Sequence, residues 1–271
     1  MTARSGRVRQ TRRLLGDRSF RRTQGEFVAE GPQAVREALG VDGSVREVFA
    51  DPEASERHAD LRALADRADV AWHVVDAEVV AATSQTVHPQ GMVARCGFVD
   101  VPLATLVERR PRLVAVCADI RDPGNAGSVL RCADAAGAEG IVFTGDAVDP
   151  YNPKAVRSSV GSLFHLDLVI EAETAATIEM LRAGGMRVVA ADASAELDLD
   201  TAADDGVLDD PTAWLFGNEA WGLPVATRDL ADVSVRVPIH GRAESLNLAA
   251  AAAVCLYASA RAQRRRPKAA P

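Results

Sequence analysis

Aromatic side chains are scarce in this sequence, at 4% of 271 residues, so its core has to be built mainly from Ala, Val and Leu. Cysteine is scarce as well. Cys96, Cys117, Cys132 and Cys255 form no CxxC pair, which removes the usual redox and zinc-site spacings. They read as buried thiols of a reducing compartment, and the expected location is cytoplasmic. The five histidines (His58, His73, His88, His165 and His240) show no metal-ligand spacing, so no metal is expected. No apolar run reaches the ~18 residues of a membrane span. The longest, Leu248 to Ala260, reads as a buried helix, and no membrane partner is expected. The Arg-rich start has no apolar core of a secretory signal. Neither G-x-G-x-x-G nor G-x-x-x-x-G-K-[ST] occurs, which disfavours a conventional Rossmann or P-loop enzyme.

What is present is unevenly placed. Residues 1–22 carry Arg4, Arg7, Arg9, Arg12, Arg13, Arg18, Arg21 and Arg22 against a single acid, Asp17, for a charge of +7. Residues 261–271 carry Arg261, Arg264, Arg265, Arg266 and Lys268 with no acid, for +5. The whole chain is at −7, so the body between these ends is at −19. An acidic body with basic ends fits a polyanion-binding protein whose contacts lie near its termini. Leu14, Leu15 and Phe20 punctuate the first run as an amphipathic helix would, which favours RNA contact there over an organellar presequence. The terminal run reads equally as an RNA contact or a solvated tail.

The first half alternates short strands and helices. Strands are expected at Phe27–Glu30, Val45–Ala50, Val70–Val75 and Gly91–Val99. Pro32 and Pro52 sit where a first-turn proline belongs; the first opens a helix to Leu39, the second one with Leu61 and Leu64 inward. Residues 1–24 read as a basic extension, 25–99 as a small α/β domain, 100–112 as a proline-bracketed linker, and 113–271 as a larger α/β domain. There the units lengthen. Leu113–Ala118 is a continuous apolar run, as for a central parallel strand. Asn125–Ala136 is a helix, with Asn125 a candidate N-cap and Gly137 its C-cap. Further strands are expected at Ile141–Phe143, Leu166–Ile170, Met186–Ala191, Trp214–Phe216 and Val233–Val237. Helices follow at Pro153 and Thr174–Arg182, and from Ser245, read as the N-cap of the last. Residues 194–212 read as an acidic surface loop. Strands followed by helices predict a doubly wound sheet with its ligand site at the carboxyl ends of the strands.

Three polar, Gly-rich strings border those strand ends: Asp122-Pro-Gly-Asn-Ala-Gly-Ser-Val-Leu-Arg131, Leu215-Phe-Gly-Asn-Glu-Ala-Trp-Gly-Leu-Pro224 and Val237-Pro-Ile-His-Gly-Arg-Ala-Glu-Ser-Leu-Asn-Leu248. Polar loops on a rigid sheet are where a site is expected. In this order the three strings resemble the SpoU–TrmH family of RNA ribose 2′-O-methyltransferases, most strongly over residues 113–261. The segment from Phe27 to Gly97 is similar to that family's N-terminal RNA-binding domain, which looks like a ribosomal protein. The length is most like the ribosomal RNA branch, including thiostrepton-resistance methyltransferases.

The resemblance implies an α/β fold whose C-terminal segment threads a loop to make a deep trefoil knot, contrary to the general rule that chains do not thread. It implies S-adenosylmethionine as methyl donor and a homodimer packed through the knot. Catalytic roles fall on Asn125, Arg131, Glu219, Ser245 and Asn247. Donor contacts fall on Phe216, Gly217, Ile239, Leu246 and Leu248. Arg131 lies six residues beyond Asn125, about 240° round a helix, so the two need not share a face, and in the family a partner subunit completes the site near that Arg. Read alone, Arg131 is a solvated helix arginine and Trp221 a core residue. Lys154, Arg157, Ser158 and Ser159 resemble a segment near the substrate, or simply a basic helix face. His240 falls at a variable family position. The family has Gly more often where Ala220 stands. The first expectation is methyl transfer to a ribose 2′-hydroxyl of 23S-type ribosomal RNA. The alternatives are a tRNA 2′-O-methyltransferase and a non-catalytic RNA-binding or ribosome-assembly factor.

Overall fold

The computed structural model describes residues 2 and 4–265, with nothing to be said of the Glu171 side chain. Arg266 and Lys268 of the terminal basic run lie outside the described residues. The chain divides into two units. One comprises the described residues up to Val99 together with Asp149–His165; the other comprises Asp100–Val148 and the described residues from Leu166 on.

In the first unit the arginine-rich start folds as α1 (Gly6–Gly16) and α2 (Arg18–Gln24). Val8, Leu14 and Leu15 are buried among Val28, Phe49, Val75, Val79, Val80 and Val93. Asp17 caps α2 through Phe20 N, and that bond overcomes slight burial to hold its carboxyl below the usual range. Next come β1 (Glu26–Glu30), α3 (Pro32–Leu39), β2 (Val45–Ala50), α4 (Pro52–Arg57), α5 (Ala59–Arg67), β3 (Ala71–Val74), α6 (Ala77–Ala82) and β4 (Met92–Gly97). The single helix expected from Pro52 is broken at His58, whose φ of −115° and ψ of 47° leave the helical region. Leu61 is fully buried there, but Leu64 only partly. The sheet order is β1-β4-β2-β3, with β2 and β3 parallel and the other pairs antiparallel. Asp149–His165 completes this unit. Asp149 accepts two hydrogen bonds from the buried Arg21 guanidinium, at 2.9 and 2.7 Å. Tyr151 stacks on Phe98 at 4.1 Å between ring centroids.

In the second unit, residues 100–112 contain α7 (Leu103–Glu108), whose Leu106 is fully buried in the core of this unit. The chain continues through β5 (Leu113–Ala118), α8 (Pro123–Ala136) and β6 (Gly140–Thr144). After α9 (Pro153–Ser159) of the first unit come β7 (Asp167–Ala172), α10 (Thr174–Ala183), β8 (Arg187–Ala191), α11 (Leu199–Asp204), β9 (Thr212–Phe216), α12 (Val225–Arg228), β10 (Val233–Val235) and α13 (Leu248–Arg265). All six strands are parallel, in the order β10-β8-β9-β5-β6-β7. The central β5 and β9 are buried at every position, as a parallel sheet covered on both faces requires. The carboxyl ends of all six strands therefore share one edge.

Four expectations are corrected here. The acidic stretch 194–212 is not all loop: α11 buries Leu199 and Ala202. Asn125 is not the N-cap of α8. Asp122 is, accepting from Asn125 N at 2.8 Å, because the helix already begins at Pro123. Ser245 does not cap α13. Asn247 does, its Oδ1 accepting from Ala249 N at 2.9 Å. The apolar terminal helix is buried on one face only, leaving Val254 42% and Tyr257 52% exposed. Cys96, Cys117 and Cys255 are buried free thiols, while Cys132 is only partly so.

Candidate active site

The site grows from the loops that follow β5, β9 and β10. After β9, the loop is closed on itself. Asn218 and Gly222 exchange backbone hydrogen bonds at 3.0 and 2.9 Å, leaving Glu219, Ala220 and Trp221 as the tip. A Cβ on Gly217 would come within 2.4 Å of the Gly222 backbone, so only glycine allows this closure. The close approach that glycine permits here is by the loop's own backbone. Asn218 is buried and locks the loop in two further ways. Its Oδ1 accepts from Ala220 N at 2.8 Å, and its Nδ2 donates to the Asp119 carbonyl, beyond β5, at 2.7 Å.

Glu219 then reaches across to the loop after β5. Its carboxylate accepts from Arg121 N at 3.3 Å, Asp122 N at 3.2 Å and Asn125 Nδ2 at 3.1 Å. Asn125 Oδ1 in turn accepts from Asn247 Nδ2 at 3.1 Å. Three of the five expected catalytic residues, from three separate segments of the chain, therefore form one chain of hydrogen bonds. Because Asn125 spends its amide on Glu219 and its carbonyl on Asn247, it fixes both neighbours. The nearby Cys117 thiol is pushed up by burial, reinforced by the charge of Glu219, so it is no nucleophile.

Beside this chain lies a cavity of about 670 Å³. All five expected donor-contact residues (Phe216, Gly217, Ile239, Leu246 and Leu248) line it, with Glu219 and Ser245. Ser245 is exposed on the wall. Ile239 and Leu246 are each 39% exposed, offering apolar surface to whatever enters. Three features of the wall were not singled out by the sequence reading. Glu244 lines it. Asp192, just beyond β8, lines it too; partial burial works to raise its pKa, but bonds from the Ser194 N–H and hydroxyl and from Arg228 outweigh that and hold it low. Trp221, expected in the core, is 59% exposed at the loop tip. Apolar patches with carboxylates suit a ligand with an apolar body and a positive charge. Among the described residues no group of His, Cys, Asp and Glu could hold a metal.

Arg131 stands apart. It is exposed on α8, and its side chain makes no hydrogen bond or ion pair among the described residues. The string after Asn152 lies in the first unit: Arg157 pairs with Glu30 at 3.0 Å, and Ser158 and Ser159 turn back on α9 carbonyls. No helix of the described residues is long and apolar enough to cross a membrane.

Comparison with known proteins identifies relatives along most of the chain. Residues 112–257 match the SpoU rRNA Methylase family, and residues 6–94 match the MRM3-like substrate binding domain. A 23S rRNA (uridine(2479)-2'-O)-methyltransferase of Streptomyces viridochromogenes is 34% identical, covering 96% of this chain and 91% of its own length. A 23S rRNA (guanosine(2553)-2'-O)-methyltransferase, RlmP of Bacillus subtilis, is 29% identical over 94% of this chain and 96% of its own. The crystal structure of the SpoU methyltransferase AviRb from Streptomyces viridochromogenes in complex with its cofactor AdoMet superposes with a TM-score of 0.82 at 32% identity, covering 97% of this chain and 99% of that one. The chain thus belongs to the SpoU rRNA methylase family.

Proposed function

We propose that this chain transfers the methyl group of S-adenosylmethionine to a ribose 2′-hydroxyl of 23S-type ribosomal RNA. The observation that carries the reading is the joining of Asn125, Glu219 and Asn247 in one hydrogen-bonded chain at the rim of the cavity. The two curated relatives are named for this reaction on different nucleotides, one a uridine and one a guanosine.

The cavity fits the donor. Pockets for ligands of this size run to roughly 300–1,000 Å³. Ile239, Leu246, Leu248 and Phe216 give it apolar surface for the adenosine, and Glu219, Glu244 and Asp192 give negative charge for a cationic ligand. When bound, the donor supplies an electrophilic methyl on a positively charged sulfur. The Gly217 loop holds its backbone close and rigid against the cavity. Asn125 keeps Glu219 and Asn247 in register, and Ser245 presents its hydroxyl from the wall.

A ribose 2′-hydroxyl is a poor nucleophile and must lose its proton as it reacts. An arginine brings a planar, positively charged guanidinium to such a site rather than a base. A guanidinium beside the ribose lowers the pKa of the hydroxyl and stabilises negative charge developing on O2′. The exposed position of Arg131 on α8 suits a site finished by a second subunit. We infer a homodimer through this unit, supported by the exposed Val254 and Tyr257 on α13. Residues 25–99 would bind the RNA, aided by the basic extension, and residues 113–271 would form the knotted catalytic domain. An rRNA substrate supports a cytoplasmic location.

The test is transfer of labelled methyl to purified unmodified ribosomal RNA and transfer RNA. Label in the ribosomal RNA alone is expected. Label in transfer RNA alone would move the substrate. No label in either, with donor binding measured in parallel, would favour an RNA-binding assembly factor.

A further inference from the structure

Exposed aromatic surface is rare in this molecule. Trp214 is fully buried, its indole donating to Ser259 Oγ at 2.8 Å, and Trp72 is partly buried, donating to Ser55 Oγ at 3.1 Å. Trp221 differs: it is 59% exposed, and its indole makes no hydrogen bond among the described residues. It also lines the cavity, two residues from Glu219. An indole exposed at the rim of a cavity offers a flat apolar face and a free N–H donor to a ligand.

The loop that carries it is built to hold it still. Glu219 and Trp221 are the first and last residues of a three-residue tip closed by the Asn218–Gly222 backbone pair. Asn218 ties that tip to the Asp119 carbonyl, and Glu219 ties it to Arg121, Asp122 and Asn125. Placing the tryptophan costs a ligand little, because the backbone beneath it is already fixed. A flat aromatic face held at the rim matches the chemistry of an unpaired nucleobase. Single-stranded RNA is recognised by stacking its splayed bases on such side chains. The donor's own apolar wall is already supplied by Phe216, Ile239, Leu246 and Leu248.

We propose that Trp221 is a stacking platform for a base of the RNA substrate, at the nucleotide to be methylated or its immediate neighbour. The proposal rests on the methyltransferase reading above. It assigns to the Glu219–Trp221 tip two tasks: the carboxylate end organises the catalytic loops and the indole end seats the RNA.

The test uses the full chain with unmodified ribosomal RNA, comparing wild type with Trp221→Phe and Trp221→Ala. Stacking of one base on an aromatic side chain sustains roughly a 5- to 100-fold difference in affinity on alanine substitution. Trp221→Ala should raise KM for RNA by that factor, Trp221→Phe should recover much of the loss, and Kd for S-adenosylmethionine should hold. RNA should quench the tryptophan emission of wild type but not of Trp221→Phe, whose remaining indoles are Trp72 and Trp214. An unchanged KM for RNA, a loss falling on donor affinity instead, or a shift to monomer in Trp221→Ala would each overturn the proposal. Wild-type protein that methylates no RNA overturns the methyltransferase reading and this one with it; active wild type with an unaltered Trp221→Ala overturns this one alone.

Discussion

Arg131 and Gly217 show two ways in which one residue can matter to the same site. Arg131 is exposed and its side chain has no partner among the described residues, so its removal costs the fold almost nothing. Arg131→Ala should change stability by less than about 0.5 kcal/mol, yet lower kcat by roughly two to three orders of magnitude, as loss of one charge-stabilising donor does. Donor affinity measured by calorimetry should be unaffected. Arg131→Lys keeps the charge without the planar fork and should recover only part of the rate. Wild-type turnover in Arg131→Ala would remove this residue from the mechanism. Gly217 is the opposite case. A methyl group there overlaps the Gly222 backbone, which has no flexible side chain to give way. Gly217→Ala should cost about 1–3 kcal/mol and weaken donor binding at the same time, read by thermal unfolding and calorimetry. Intact donor binding would show that the loop closure does not shape the cavity.

At the scale of elements, the starts of helices carry function as well as stability. Asn247 caps α13 and also holds Asn125. Asn247→Ala should therefore cost about 1 kcal/mol and slow methyl transfer together. Ser245→Ala should slow transfer with stability unchanged, because the serine caps nothing. Equal stability losses in urea unfolding would contradict this division. The sequence places Ser245 and Asn247 both within reach of the helix start, and composition alone does not choose between them. The same ambiguity separates Asp122 from Asn125, and there Pro123, fixed at the first turn, decides. Strands were legible because burial on both faces forces continuous apolar runs such as Leu113–Ala118. The helix α11 was hidden because Leu199 and Ala202 are thin apolar signals among acids. Trp221 was misread because hydrophobicity says nothing about exposure. The hydrogen bonds from Asn125 to Glu219 and Asn247 join positions 94 and 122 residues apart; only likeness to a family made that grouping visible, and no local pattern would have.

For the whole molecule, the proposed reaction is completed by two copies of the chain working together. Val254 and Tyr257 leave apolar surface on α13 that the described residues do not cover. Sedimentation should show a dimer, and Val254→Asp should shift it toward monomer with a parallel fall in turnover; full activity as a monomer would refute a shared site. One family match, to a substrate binding domain, covers residues 6–94, and the other, to the methylase, covers residues 112–257. The central claim is that the methyl lands on a ribose oxygen, and this has a direct chemical signature. A 2′-O-methyl group removes the hydroxyl that alkali uses to cleave RNA, so the modified linkage survives hydrolysis. The decisive measurement is alkaline hydrolysis of ribosomal RNA labelled by this protein, followed by mass analysis of the products. The account predicts the label in an alkali-resistant dinucleotide carrying a 2′-O-methyl ribose, and label on a base in ordinary mononucleotides would contradict it.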